Sequence, residues 1–422
     1  MSHKGNDKAM KPSAIKRLVL FTAHYPYTNG ESFLEDEVKY AASIFDEIVI
    51  VTAERCATRD KYYIPDKATV IESRKGMRRY IGLLVACIHM FSPLTIKEIK
   101  WGIREQKGIR SPIEILKKML ITECNIATAQ MSFSKWYSKA PTLYYAYWLD
   151  AEATYLTYVK EKINGLCIAR AHGSDCFFER DYHPYRRQQL ESLDKIYPVS
   201  EAGYKNIQTY YGSIVKGLTL KTQTVYLGVK IPQKEETWNR KEEATIVSCA
   251  EVKKLKRIDL LIDALSLINR PIHWIHFGEG ELTEEIRTYA DEKLKEKNNI
   301  RYEFTGRILK SDILKFYEEN SIDMIVNTSD YEGIPVSIME AMSYGIPAIA
   351  KDIGGNSELV DNECGKLLGS DAGAEKIAQA IETLLETEEN DMKAIRLAAR
   401  EKVRTKFADK RNYQLLYRVI SC

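Results

Sequence analysis

The sequence predicts an α/β protein: two Rossmann-like, doubly wound domains facing each other across a cleft. Three observations predict it. The chain has 422 residues, which at roughly 100–200 residues per domain suits two domains. Short runs rich in β-branched and aromatic residues recur along it, with helix-periodic segments between them, and that alternation is the mark of parallel sheets covered by helices. The rhythm breaks once, at KIPQKEETWNRKEEA (230–244), which is polar, charged and carries a proline. It reads as a linker between two strand–helix series of similar size.

In the first series the expected strands are RLVLFTA (17–23), EIVIVTA (47–53), ATVIES (68–73), TLYYAYW (142–148), LCIARA (166–171), KIYPVS (195–200) and TVYLGV (224–229). In the second they are TIVSCA (245–250), IHWIHFG (272–278), RYEFTG (301–306), MIVNTS (324–329) and IPAIA (346–350). Phe33, Leu34, Val38, Ala41 and Phe45 repeat at three and four, as do Ile258, Leu261, Ala264, Leu265 and Ile268, so each set predicts an amphipathic helix. The expected domains are 1–230 and 231–405, with 406–422 a helix returning to the first.

Composition excludes several classes. The net charge of +3 is too small for a nucleic-acid binder, and 45% apolar with 29% charged residues is ordinary for a soluble globular chain. The eight cysteines form no CxxC pair, the pattern of reduced thiols rather than of a zinc site or disulfide framework. The N-terminal MSHKGNDKAMKPSAIK lacks an apolar signal core, and no apolar run approaches the ~18 residues of a membrane span. A cytoplasmic protein is expected. The stretch 74–118 departs from the average: it holds eleven Lys and Arg against three acids, a net +8, around the apolar run YIGLLVACIHMF (80–91). Two readings stay open, a helical insertion (about 74–140) packed on the first domain, or a peripheral surface resting on anionic lipid at the inner face of a membrane, with Arg74, Lys75, Arg78 and Arg79 in the headgroups.

The stretch EGIPVSIMEAM (332–342) sets two carboxylates around a proline at the head of a helix. Glu332 falls on the loop and Glu340 about one turn inside. The N–H groups of Val336, Ser337 and Ile338 between them make an anion site. Carboxylates beside a bound diphosphate are favourable only if they accept hydrogen bonds from hydroxyls on either side of it, and a diphosphate with a diol at each end is a nucleotide sugar. On that reading Glu340 takes the ribose diol and Glu332 the hydroxyls of the transferred sugar. A capping acid and a solvated helix acid are the plainer alternative. Lys254, Lys256 and Arg257, in SCAEVKKLKRIDLLIDAL (248–265), head another helix where a cation can neutralise a diphosphate leaving group. FGEGEL (277–282) and FTGRI (304–308) are strand-to-turn glycines, with Arg307 beside the second.

These motifs, with EAMSYGIPAIA and DIGGNSELVDNECGKLL (352–368), stand in the order and spacing of a known family. The second half resembles the retaining, GT-B-fold glycosyltransferases of family 4, the glycosyl transferases group 1. HYPYTNGESFLEDEVKYA (24–41) and YYAYWLDAEA followed by ARAHGSDCFFERDY (169–182) are similar to the first-domain motifs of members that build bacterial exopolysaccharides and capsules. The resemblance implies that Glu332 contacts the donor sugar, Glu340 the ribose and Lys256 the diphosphate, with Arg257 as a further cation. It implies that Gly30 lies over the phosphates, that Gly306 and Arg307 border the base, with Gly278 also among the nucleotide-binding residues, and that His172 approaches the reacting sugar, with Asp175 orienting it or the acceptor. Many relatives carry an arginine where this chain has Glu251, which puts the phosphate clamp in doubt.

The activity so implied is transfer of a sugar, with retention, from a nucleotide-sugar donor (UDP- or GDP-linked) to a glycan or lipid-linked glycan. No cofactor is expected, and no metal ion, because no DxD-like pair stands in a suitable place. Two other readings stay open, a nucleotide-sugar epimerase of similar build and a non-catalytic nucleotide-sugar-binding scaffold. A dinucleotide dehydrogenase is excluded by the lack of G-x-G-x-x-G after RLVLF.

Overall fold

The computed structural model describes residues 15–27, 31–53, 62–74, 76–105, 110–178, 181–233 and 238–420. The chain forms two compact units. The first takes Met1–Pro198, Tyr204–Val225 and Tyr413–Cys422, and the second takes Val199–Gly203 and Tyr226–Asn412.

Each unit holds a six-stranded sheet. In the first, β1 (Arg17–Thr22), β2 (Glu47–Thr52), β3 (Ala68–Glu72), β4 (Thr142–Ala146), β5 (Gly165–Ala171) and β6 (Lys195–Pro198) run in the order β3-β2-β1-β4-β5-β6. In the second, β7 (Ala244–Cys249), β8 (Ile272–Phe277), β9 (Ile300–Phe304), β10 (Met324–Asn327), β11 (Ala348–Lys351) and β12 (Gly365–Leu368) run β12-β11-β10-β7-β8-β9. All ladders are parallel. Both orders are doubly wound, reversing between the first and fourth strands of their unit. The expected fold class is the observed one.

Burial explains the apolar strands. In the second sheet Ile246, Trp274 and Met324 feed one core, while their neighbours Val247, Ile275 and Ile325 feed the other. Alternate residues point to opposite faces, so a sheet covered on both sides needs apolar residues at every position. One expected strand is absent. Residues 224–229 form no ladder: their backbone pairing includes Val225 N–H to Pro198 O at 3.0 Å and an isolated bridge from Val229 to Ala408. The changeover between units falls inside the run, at 225/226, so it has no one sheet edge to join. Its apolar residues are buried as connectors instead. Conversely β12 was not expected, since Gly365–Leu368 carries a glycine, a lysine and only two leucines.

Between β3 and β4 lie three helices, Arg78–His89, Pro93–Glu105 and Pro112–Phe133. The third starts at a capping box made by Ser111 and Glu114, with Pro112 in its first turn. It buries Ile115, Met119, Ile126 and Phe133. The first helix lies close against it, because a Cβ on Gly82 would come 2.6 Å from Thr128 Cγ2. Arg78 turns inward, donating to Glu72 O at 3.1 Å and Ser132 Oγ at 3.3 Å, which corrects the headgroup place that the lipid-surface reading gave it.

The C-terminal residues Tyr413, Leu416 and Tyr417 are part of the first unit's core. Beside them Arg170 and Glu37 form an ion pair at 2.8 Å with side chains 0% and 2% exposed. Tyr145 donates to Glu37 at 2.9 Å and Tyr417 at 3.4 Å, and Arg170 donates to Val225 O at 3.1 Å. Removing one partner leaves the other charge buried. We expect Glu37→Leu to lower the stability of the first unit by about 3–5 kcal/mol, read from urea unfolding. Lys39→Ala, which deletes an exposed pair with Glu35 (2.6 Å), leaves the midpoint almost unmoved.

Candidate functional site

In a doubly wound sheet, ligands meet the carboxyl ends of the strands where the order reverses. In the second unit that place lies between β7 and β10, which pair through Met324↔Ile246 and Ile325↔Val247. The chain leaves β7 into the turn Lys254–Lys256 and leaves β10 into residues 328–335, and the two loops are tied together. Thr328 Oγ1 donates to Lys256 O (3.1 Å) and Arg257 O (2.7 Å), and Asp330 N–H donates to Leu255 O at 2.9 Å. Arg257 adopts φ 49°, a left-handed conformation uncommon for a side-chain-bearing residue, and the two carbonyl bonds help to hold it there.

The expected carboxylates sit within this frame. Glu332 lies on the loop and accepts from Lys256 Nζ (2.7 Å), Ser329 Oγ (2.7 Å) and Asn327 Nδ2 (3.2 Å). Glu340 is the fifth residue of the helix Val336–Ser343, is 8% exposed, and pairs with Lys310 at 2.9 Å. Pro335 is the N-cap residue of that helix. The first intrahelical bond runs from Met339 N–H to Pro335 O, so Val336, Ser337 and Ile338 have no acceptor within the helix. Burial and the nearby Glu340 carboxylate push the Cys249 thiol up to about 12, with Lys256 opposing.

Two further cations and an acid belong to the same site. Asp330 accepts from Lys351 at 2.5 Å and from Arg257 at 3.3 Å; although burial opposes it, these two cations hold the Asp330 carboxyl below its usual range. Arg257 is also held by Asp259 at 3.0 Å. The departing position, Glu251, pairs with Lys253 at 2.9 Å. Lys256 therefore has Glu332 as partner, while Arg257 is engaged by two aspartates. Lys310, Lys351 and Asp330 carried no motif signal. Lys310 opens a helix directly after FTGRI, and that position was its only clue.

Glycines shape the rest. Gly278 N–H donates to Gly306 O at 3.1 Å, joining the turns after β8 and β9. Gly278 has φ +141° and a Cβ there would stand 2.0 Å from Ala250 O. Gly306 has φ +70°, where a Cβ would lie 3.9 Å from Glu279 Oε2, and Arg307 beside it is exposed. Gly354, in the DIGG stretch, matters more: its Cβ would meet Glu332 O at 1.8 Å, and Gly355 N–H donates to Gly333 O at 2.8 Å. The GG pair thus fixes the backbone that carries Glu332.

In the first unit the reversal lies between β1 and β4. Glu31 accepts from the N–H groups of Ala23 (3.1 Å), His24 (2.7 Å) and Tyr25 (2.5 Å), and from Trp148 Nε1 at 2.6 Å. Trp148 in turn lies 4.3 Å, ring to ring, from His172, which follows β5, and Tyr147 lies 4.8 Å away. His172 is 6% exposed, and neither ring nitrogen has a hydrogen-bond partner among the described residues. Burial, then Arg170, lowers its pKa well below the usual histidine range, so the ring is neutral. Asp175 accepts from the His172 and Leu149 N–H groups; burial raises its carboxyl to about 7 against the pull of Arg186. Gly30 lies outside the described residues.

With this geometry in place, the chain was compared with known proteins. Residues 230–402 match the family model Glycosyl transferases group 1, so they form a domain of that kind. The amylovoran biosynthesis glycosyltransferase AmsK of Erwinia amylovora is 28% identical over 184 residues, 42% of this chain and 43% of AmsK. The chain thus spans less than half of that relative. The O-antigen biosynthesis glycosyltransferase WbnH of Escherichia coli is 23% identical over 279 residues, 64% of this chain and 72% of WbnH. Among solved structures, Anabaena HepE in complex with UDP-glucose superposes with a TM-score of 0.64 over 96% of this chain and 99% of HepE, at 15% identity. The fold is that of the GT-B glycosyltransferases.

The Lys310–Glu340 pair is mostly withdrawn from solvent, with side chains 18% and 10% exposed. Lys310→Met keeps the aliphatic stem and deletes the charge. We expect it to cost about 1–3 kcal/mol, seen as a lower melting temperature, and Glu340→Gln in the same background to recover part of the loss.

Proposed function

We propose that this chain transfers a sugar from a UDP- or GDP-linked donor to a hydroxyl of a glycan or lipid-linked glycan, with retained anomeric configuration, in the manner of family 4 glycosyltransferases. The product would enter a bacterial surface or exopolysaccharide. One observation carries the reading: two carboxylates, Glu332 and Glu340, flank the N-terminus of one helix at the β7/β10 reversal, and each is paired with a lysine. The likeness to AmsK and WbnH, named for amylovoran and O-antigen biosynthesis, and the group 1 domain at 230–402 support the reading.

The chemistry follows from charge. A donor diphosphate competes with Glu332 for the Lys256 ammonium. Once Lys256 turns to phosphate, Glu332 is released to accept hydroxyls of the transferred sugar. Glu340, one helical turn deeper, takes the ribose diol. When the bond between the sugar and the phosphate breaks, its electron pair stays on the nucleoside diphosphate, where Lys256 and the N–H groups of Val336–Ile338 meet the growing charge. The acceptor oxygen bonds to the anomeric carbon, and its proton goes to the departing phosphate oxygen. In this role the lysine and the helix end replace a divalent ion. Arg257 steadies the clamp through Asp330, Gly278, Gly306 and Arg307 border the base, and Gly30 covers the phosphates. His172, neutral and with both nitrogens available, contacts a hydroxyl of the reacting sugar.

A thermal-shift screen against UDP-, GDP- and ADP-sugars tests the donor. A true donor at 100 times its dissociation constant stabilises by about 2.7 kcal/mol, and no shift with any of them would refute the reading. Product analysis then separates a new glycosidic bond from an epimerised donor, and its NMR coupling constants give the anomeric configuration.

The carboxylates are told apart by mutation. Glu340→Ala should weaken binding of the free nucleoside diphosphate by about 1.5–3 kcal/mol. Glu332→Ala should spare that binding and reduce turnover, and Lys256→Ala should lower both. Calorimetry and initial rates on the three variants decide among these assignments.

For His172, His172→Ala should leave nucleotide affinity intact and slow transfer by about 10²-fold or more. Because burial lowers its pKa, the ring stays neutral as pH falls through the ordinary histidine range. The acid limb of the kcat/KM profile should therefore lie well below pH 6.5. An acid limb at 6.5 that vanishes in His172→Gln would contradict this.

A further inference from the structure

The first unit carries an apolar stripe that the transfer reading leaves unused. On the helix Arg78–His89, Tyr80, Leu84 and Ile88 recur at every fourth residue and so share one face. With Phe91 just beyond, they are 67%, 67%, 71% and 81% exposed. The other face packs inward: Gly82 and Ala86 are buried, and Gly82 abuts Thr128 and Cys124 of the helix Pro112–Phe133. Rolling the stripe inward would separate that contact, since any other residue at this place brings a Cβ against the Thr128 methyl and the Cys124 carbonyl. Leu94 and Ile96 on the next helix are exposed as well. Soluble surfaces seldom gather large apolar side chains in this way unless the patch binds something.

Charge selects the occupant. The stretch 74–118 holds eleven Lys and Arg against three acids, in a chain whose net charge is +3. Arg79, Lys97, Lys100 and Lys117 are exposed on the same three helices as the stripe. Arg78, as described above, is spent on internal bonds and is not one of them. Apolar side chains for the acyl layer, edged by exposed cations for the headgroups, match an interfacial helix on anionic lipid. We propose that the helix Arg78–His89, with Phe91 and the start of Pro93–Glu105, docks on an anionic membrane surface, its stripe at the headgroup–acyl boundary and the exposed lysines and arginines on lipid phosphates. No single described helix is long and apolar enough to cross a membrane, and although Arg78–His89 and Pro93–Glu105 reach that length and composition together, they bend by 79° and pack on the first unit through Gly82 against Thr128 and Gly102 against Tyr182, so the proposed contact is peripheral. It goes beyond the transfer reading and stands without it, and it would bring a lipid-linked acceptor and the chain to the same surface.

The test is co-sedimentation of the full chain with vesicles of phosphatidylcholine alone or with about 30% phosphatidylglycerol. Wild type should bind the anionic vesicles at low salt, bind the neutral ones at least about ten-fold less, and be largely released at about 0.5 M salt. Leu84→Asp/Ile88→Asp places charge on exposed positions, so folding should persist, checked by an unchanged melting temperature. It should lose vesicle binding about ten-fold or more. Arg79→Ser/Lys97→Ser/Lys100→Ser should lose only the salt-sensitive part. Both variants should transfer to a soluble acceptor analogue at the wild-type rate, which keeps this result separate from the donor assignment. The proposal is overturned if wild type ignores anionic vesicles at low salt, or if Leu84→Asp/Ile88→Asp binds them as wild type does. It is equally overturned if the stripe instead holds two copies together, seen as a lipid-free dimer that those substitutions dissociate while vesicles stay unbound.

Discussion

The second unit depends on β7 and β10 lying side by side. Their ladder is short, two residue pairs, yet it sets two loops distant in sequence against each other at one end of the sheet. Everything at the candidate site is then local: Thr328 holds the carbonyls of Lys256 and Arg257, Asp330 holds Leu255, and the 354–355 glycines hold the backbone of Glu332 and Gly333. The apolar residues of both strands, buried on both faces, keep the ladder in register. A one-residue slip would turn Ile246 and Met324 into the wrong core and carry Lys256 away from Glu332.

Within that frame, charges are arranged in opposite pairs that can change partner. Lys256–Glu332 and Lys310–Glu340 are partly exposed and lie beside a helix N-terminus. On the proposed reading, a diphosphate entering there would replace Glu332 at Lys256, so little uncompensated charge would be created. The Arg170–Glu37 pair of the first unit is the contrast. It is fully buried, satisfied by Tyr145, Tyr417 and the Val225 carbonyl, and has nothing to exchange with. Its role is to join β5, the helix Leu34–Ile44 and the C-terminal segment. The same chemistry thus serves structure where water is excluded, and where it is not it leaves the partners of the proposed site open to exchange.

In the first unit a chain of contacts runs from Glu31 through Trp148 to His172. Glu31 caps three successive N–H groups after β1 and so holds that loop, while its hydrogen bond orients the indole. The imidazole is kept neutral by its apolar and aromatic surroundings. The helical insertion between β3 and β4 shows how one glycine sets an outer surface: Gly82 allows close approach on one side and thereby fixes which residues face out on the other.

Strand–helix alternation was legible in the sequence because sheets buried on both faces need unbroken apolar runs, and E-x7-E was legible because the loop and the helix that carry it are contiguous. Residues 224–229 misled for the same reason that made the others readable: apolar side chains signal burial, and burial does not require a ladder. β12 escaped notice because Gly365 and Lys366 dilute an edge strand's pattern. Lys310, Lys351 and Asp330 could not be found from the sequence, since each acts on a residue far along the chain and lone lysines and aspartates are everywhere; Gly354 stood in the DIGG stretch, but its contact with the Glu332 carbonyl was not readable there. The sequence by itself determined the elements and the chemistry available at each strand end, because those depend on neighbours in the chain. Only the tertiary structure decided which ends meet, which lysine neutralises which carboxylate and which face of the insertion looks outward, because those depend on strand order and on packing at distances of a few ångströms.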